Sequence, residues 1–197
     1  MKYKDVANNK EINAYLKKGN SNLGQLGFTD HSQAHCVQVA HQAGKILKRL
    51  GYPEHDIGNA INRNHHAEYG ALLANDLLKD TNMSLEDRVT VIAAIGNHDE
   101  STGSPEDVIS AALIIADKTD VRRSRVRQKE RSAFDIHDRV NYAVTDSKLK
   151  IDEEKSVIAL NLQIDENICS MYDYFEIFLD RMMFCRKLAE IIRNREK

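Results

Sequence analysis

A chain of 197 residues is long enough for one ordinary domain with its own core. Its 28 Lys and Arg against 30 Asp and Glu leave a formal net charge of −2, which removes any bulk electrostatic case for a nucleic-acid or membrane-surface protein. The start, Met-Lys-Tyr-Lys-Asp, has no apolar signal core and no stretch approaches transmembrane length, so a cytoplasmic protein with no membrane partner is expected.

With two prolines, no tryptophan and short loops between long periodic stretches, the chain reads as mostly α. Residues 9–18 predict a short helix closed by Gly19, and 20–28 a loop containing Gly24 and Gly27. Thr29 or Asp30 can cap a long helix running to Leu50, with Gly51 just past its end. Its apolar stripe is Val39, Ala43, Ile46, Leu47 and Leu50. His35 lies one turn before Val39 and His31 one turn before His35, so both are predicted to face the core.

Residues 52–64 are short and irregular in pattern. Helix is predicted over 67–78, with Leu72, Leu73, Leu77 and Leu78 apolar. Ser84-Leu85-Glu86-Asp87 resembles a capping box and opens a helix through Val89, Ile92 and Ala93 to about Ile95. Ser104-Pro105 predicts another start, with serine as cap and proline in the first helical position, leading through Val108, Ala111, Ala112 and Ile115 to Asp117. Asp135 caps a short helix through Val140 and Val144. The period then changes: Leu149 and Ile151, the polar Asp152-Glu153-Glu154-Lys155, and alternating Ile158, Leu160, Leu162 and Ile164 predict a β-hairpin. Helical period returns over 167–195, where Met171, Phe175, Phe178, Leu179, Met182, Cys185, Leu188 and Ile192 make one apolar face. With no internal repeat or linker, 1–197 reads as a single domain: a helical core over about 9–144, a hairpin over about 147–165 and a C-terminal helix over about 167–195.

Cys36, Cys169 and Cys185 are odd in number and share no CxxC spacing, so they read as reduced thiols. Cys36 adjoins His35 but leaves the helix about 100° away, which makes it a packing residue.

The chemistry lies in the histidines and aspartates: His31, His35, His55-Asp56, His65-His66, His98-Asp99 and Ala116-Asp117-Lys118. Imidazole and carboxylate hold Mn, Fe, Zn or Mg. A lone core histidine is ordinarily a hydrogen-bonded packing residue, and Asp-Lys in a helix an exposed pair. An aspartate that follows Ala-Ala-Leu-Ile-Ile-Ala is different, because a buried carboxylate is costly unless a cation or strong donors meet it. Several such positions together make a metal site the simplest reading. Of the three His-Asp doublets, His55-Asp56 is preferred because Ile57-Gly58 follows it and Glu68 with Gly70-Ala71 comes next. His98-Asp99 has the better apolar lead-in and belongs near the site on either reading. His137-Asp138 comes after Asp117 and reads as the first turn of a helix, while His65 is a bystander.

In order, His35-Cys-Val-Gln-Val-Ala, His55-Asp56-Ile57-Gly58 and Ala112-Leu-Ile-Ile-Ala-Asp117-Lys118 resemble the ligand motifs of the HD superfamily of metal-dependent phosphohydrolases. The resemblance spans about Thr29 to Arg125 and implies an HD-type helical domain. By resemblance, His35, His55, Asp56 and Asp117 hold one divalent ion, and His66 and His98 contribute to a second. The ion is one of Mn, Fe, Zn or Mg, unidentified by sequence. The implied chemistry is hydrolysis of a small phosphorylated substrate, a nucleotide by preference, through a metal-activated water. Asp56, Lys118 and His31 are the implied catalytic residues, His31 as a proton shuttle or as an outer partner of the ligands. Lys118, Arg122 and Arg123 are candidate phosphate contacts, although 122–131 also reads as a solvated basic helix face. Without aromatic interleaving, that strip does not argue for nucleic acid. Asn59 stands where a lysine often follows the doublet in this superfamily.

Chain geometry adds a constraint. From His35 to Leu50 a helix climbs roughly 22 Å, and the steps from Leu50 to His55 return at most about 17–18 Å. A return helix of about 12–16 residues would close the difference. The superfamily normally has such an apolar helix before the doublet, and none stands here. A missing internal segment is the preferred explanation, ahead of an early break near Gly44 or a doublet serving another site or subunit. Two other functions are consistent with the sequence: a non-catalytic nucleotide or metal sensor, and an interaction module built on the hairpin and last helix. The face with Phe175, Phe178, Met182 and Met183 would then be a homodimer seam rather than core.

Overall fold

The computed structural model describes residues 3–46, 64–99, 101–105, 107–128, 130–152, 154–155 and 157–194. In chain order these form α1 (Tyr3–Ala7), α2 (Lys10–Gln25), α3 (Gln33–Ile46), α4 (His66–Leu78), α5 (Leu85–Gly96), α6 (Val108–Lys118), α7 (Ile136–Ala143), β1 (Val144–Asp152), β2 (Val157–Ile164) and α8 (Met171–Asn194). The fold is mostly α with one antiparallel hairpin, as the periodicity predicts.

α2 outruns its expected end. Ile12, Leu16, Gly19 and Leu23 are its buried positions, so Gly19 sits on the packed stripe and does not close the helix. The stop is Gly27, at φ 82°. Phe28 N donates to Leu23 O at 2.9 Å and Gly27 N to Gly24 O at 3.3 Å, a left-handed glycine closure of the kind only a residue without Cβ adopts freely. α5 and α7 start as predicted: Ser84 accepts from Asp87 N, and Asp135 from Asp138 N. α6 does not start at Ser104-Pro105. Asp107 is its cap, its Oδ1 accepting from Ile109 N and Ser110 N at 2.9 Å each, so Pro105 precedes the helix. α7 ends at Ala143, and Val144 opens β1 instead of extending the helix.

α6 is the axis of the molecule. Every residue from Ser110 to Ala116 is buried, the signature of a helix packed on all sides. Val39 and Ala43 of α3 and Ala94 of α5 meet its Leu113 and Ala116. On the opposite side Ala111, Ile114 and Ile115 meet Leu188 of α8. α4 packs on α5 through Ala67, Gly70, Ala71 and Ala74, while Leu72 is exposed. Small residues let the two backbones approach, so bulk is not what marks the buried face there. Val89 of α5 is likewise exposed, and Val91, Ala94 and Ile95 are buried.

The hairpin pairs Leu149 with Leu160 and Ile151 with Ile158, and its turn is tied by Lys155 N donating to Asp152 Oδ1 at 3.0 Å. α8 does not carry one continuous buried face. Tyr174, Phe178 and Leu188 are buried, whereas Met171, Phe175 and Leu179 face outwards beside Tyr172 and Met183. Cys36 and Cys169 are buried thiols, as expected of packing residues. Among the described residues no helix is long and apolar enough to cross a membrane.

Candidate metal centre

α3 carries His35 into the core, where it is fully buried, against the C-terminal end of α6. His35 Nε2 lies 3.2 Å from Asp117 Oδ1, and its Nδ1 lies 2.6 Å from Asp120 Oδ2. Asp120 is a carboxylate that the sequence reading did not select. It follows Asp117 by one short turn and is itself buried. Arg122 clamps it through Nε at 2.5 Å and Nη2 at 2.9 Å, and Arg125 Nη1 stands 3.8 Å from Oδ2. Burial pushes the Asp120 carboxyl up. Hydrogen bonds from His35 and Arg122, with the charges of His35 and Arg125, outweigh it and hold the group below the usual carboxylate range.

A second pair comes from the start of α4 and the end of α5. His66 Nε2 and His98 Nε2 face each other at 2.9 Å, with their rings nearly perpendicular. His98 Nδ1 is 2.7 Å from Ile95 O, and His66 Nδ1 is 3.6 Å from Asp99 Oδ2. Asp99 is fixed in turn by Ser101, through its backbone N at 2.8 Å and its hydroxyl at 2.5 Å. Burial raises the Asp99 carboxyl, but the Ser101 hydrogen bonds and the charges of His66 and Lys118 bring it below the usual range. The chain after Asp99 folds tightly back: Gly103 N donates to Asp99 O at 2.7 Å and Ser104 N to Asn97 Oδ1 at 3.1 Å. A Cβ on Gly103 would overlap the Asn97 carbonyl oxygen and come within 2.6 Å of that of Asp99.

His31 is 2.8 Å from Thr29 O through Nδ1, and its ring centroid stands 5.4 Å from that of His35. The four imidazoles thus share one arrangement. Each Nδ1 faces an oxygen, on Asp120, Asp99, Ile95 or Thr29. A neutral imidazole that gives its Nδ1 proton to such an oxygen presents Nε2 as a lone pair, the form in which it binds an ion. This is the second contact by which proteins orient metal-binding histidines. Nitrogen and oxygen atoms facing at 2.9 or 3.2 Å are held by a proton or a cation between them. Adjacent ligands of an octahedral ion at about 2.1 Å stand about 3.0 Å apart, so both pairs fit one edge of such a shell. Among the described residues no three His, Cys, Asp or Glu side chains group closely enough to hold an ion. His55 and Asp56 lie outside the described residues.

His31, His66, His98, Asp99, Asp117 and Lys118 border a common cavity of about 290 Å³. Lys118 Nζ is 2.8 Å from Asp117 Oδ2 at its edge. Of the expected phosphate contacts, only Lys118 is part of the wall. Arg122 is turned onto Asp120, and Arg123 donates to Tyr142 O at 2.6 Å with its guanidinium over the Tyr142 ring. Arg125 and Arg181 supply the other cations of the wall. The first turn of α7 adds His137 and Asp138, the doublet set aside for its place in sequence order. Asp138 is buried, and burial followed by the negative Asp135 nearby raises its carboxyl above the usual range. His65, at the left-handed start of α4, is exposed beside Glu68.

The chain is similar to an uncharacterized protein of Methanocaldococcus jannaschii, with 28% identity over an alignment covering 80% of this chain and 74% of that protein. No protein-family profile matches the sequence, and no solved structure matches it.

Proposed function

We propose that this protein is a cytoplasmic, metal-dependent phosphohydrolase of the HD type, acting on a small phosphorylated molecule such as a nucleotide. The observation that carries the proposal is the convergence of imidazole and carboxylate groups from α3, α4, α6 and the end of α5 on one region, His35 Nε2 at 3.2 Å from Asp117 Oδ1 and His66 Nε2 at 2.9 Å from His98 Nε2, with His31, His66, His98, Asp99 and Asp117 bordering one cavity. His35 and Asp117 would hold one ion together with His55 and Asp56, and His66 and His98 would contribute to a second. When bound, such ions lower the pKa of water and offset the charge on phosphoryl oxygens. Lys118, Arg125 and Arg181 would bind and orient the phosphate. Asp138 lines the same wall, and burial raises its carboxyl. His31, fixed through Thr29 O, is suited to carry protons at the rim.

Elemental analysis of the purified protein beside Asp117→Ala, paired with a screen of phosphoesters and nucleotides, tests the proposal. At least one divalent ion per chain is expected, lost in the variant, with hydrolysis that depends on it. A wild-type protein that binds no ion would overturn the reading. Tight metal with no turnover of any phosphoester would instead establish the sensor.

A further inference from the structure

A second cavity, of about 380 Å³, lies between the hairpin, α6 and α8. Its apolar walls are Leu149, Ile158 and Leu160 from the hairpin, Ile115 from α6, and Met182 and Ala189 from α8. Lys118, Phe178 and Arg181 belong to this wall and also to that of the histidine cavity. The two spaces therefore adjoin. Phe178, which lines both, is buried, stacked on Tyr174 with centroids 5.1 Å apart, and the Arg181 guanidinium stands 4.7 Å from its ring centroid.

An apolar space of this size forfeits dispersion contacts along its whole lining when it holds no apolar group. It falls in the range of small-molecule pockets, and its junction with the first cavity is cationic. The Thr119 hydroxyl in the wall donates to Ile115 O at 2.6 Å, and Lys118, Arg181, Arg186, Tyr174 and Cys185 are the other side chains of the wall that carry a polar atom or sulfur. We infer that the substrate is a phosphoester of an apolar alcohol or phenol: the phosphoryl group lies in the histidine cavity, Lys118 and Arg181 meet its charge, and the apolar substituent passes Phe178 into the space under the hairpin. The inference rests on the phosphohydrolase reading and narrows it away from nucleotides.

The test is a series of methyl, hexyl and decyl phosphates, with phenyl phosphate and a ribonucleoside monophosphate, assayed on the metal-loaded protein for hydrolysis and by calorimetry for binding. Specificity is expected to rise at least about tenfold from methyl to hexyl phosphate, since each buried methylene favours binding. Phenyl phosphate against the alkyl series tells a ring from a chain in the same space. Leu160→Trp fills the cavity and should abolish the length dependence. Should that variant fail to fold, Leu149→Trp fills the space from the paired strand. Hydrolysis that is indifferent to chain length, or best with the ribonucleotide, would overturn the inference and leave the phosphohydrolase reading standing. Length-dependent binding abolished by the tryptophan, with no hydrolysis of any ester, would support the apolar subsite, overturn its assignment to a substrate and sink the phosphohydrolase reading.

Discussion

Asp120 shows how one side chain can govern a site that it does not enter. By accepting a hydrogen bond from His35 Nδ1 at 2.6 Å, it turns Nε2 towards Asp117. Removing such a partner typically costs about 10–100-fold in metal affinity. Asp120→Ala should therefore weaken metal binding by that order in a chelator competition, and Asp120→Asn, which keeps an acceptor oxygen, should recover part of it. Equal affinity in all three proteins would show that Asp120 serves Arg122 and Arg125 alone. Asp138 offers a pH test. Its proton is held more tightly in the folded chain than in the unfolded one, so unfolding releases a proton and stability falls as pH rises through that window. Asp138→Asn should raise Tm at neutral pH, with the gain vanishing below about pH 3, where the carboxyl is protonated in both states. A Tm difference that is flat with pH would contradict the burial argument. At this scale the sequence pointed to His35, His98 and Asp117 through the apolar stretches beside them, to His31 through its one-turn spacing from His35, and to His66 only through the resemblance. Asp120 has no such flank. It follows a helix end amid Thr119, Arg122 and Arg125, where an aspartate reads as a surface residue until the fold closes over it.

Helix ends are decided by which groups can reach the backbone. Asp107 satisfies two amides at the start of α6, and Ser104 satisfies none there. Asp107→Ala should cost about 1 kcal/mol of stability, and Ser104→Ala should stay within about 0.5 kcal/mol in either direction. Thermal unfolding followed by circular dichroism checks both, and the reverse ranking would restore the serine as cap. Helix and strand identity was legible in the sequence because burial imposes periods of 3.6 and 2 on it. Alternating Ile158, Leu160, Leu162 and Ile164 are strand β2 as read. The failures have a common cause. Gly19 reads as a terminator and is a buried position of α2, and of the apolar leucines of α4 Leu78 is buried while Leu72 is exposed, the rest of the buried face being His66, Ala67, Gly70, Ala71 and Ala74. Residue size and backbone freedom each have two uses, and tertiary packing selects between them.

At the scale of the whole molecule, the two pairs come from different helix pairs. α3 and α6 bring His35 to Asp117, while α4 and α5 bring His66 to His98, and α5 and α6 pack together. Ions bound there would hold the folded state against the unfolded one by mass action. Chelation should lower the Tm of the wild type and leave that of Asp117→Ala little changed; equal shifts would mean that the metal acts elsewhere. The part of the centre assigned to His55 and Asp56 falls outside the described residues, as does the span in which a return helix of about 12–16 residues is expected from chain length. An intact mass of 22.4 kDa for the natural protein would exclude that helix.

The turn at Gly103 has a hereditary consequence. The pinch against the Asn97 and Asp99 carbonyls leaves room for one hydrogen atom and no carbon. Any missense change of that codon introduces a carbon branch, so the locus has no mild neighbouring allele. Such alleles would injure His98 and Asp99 without altering either, and in a genetic screen they would pass for lesions of the histidine itself.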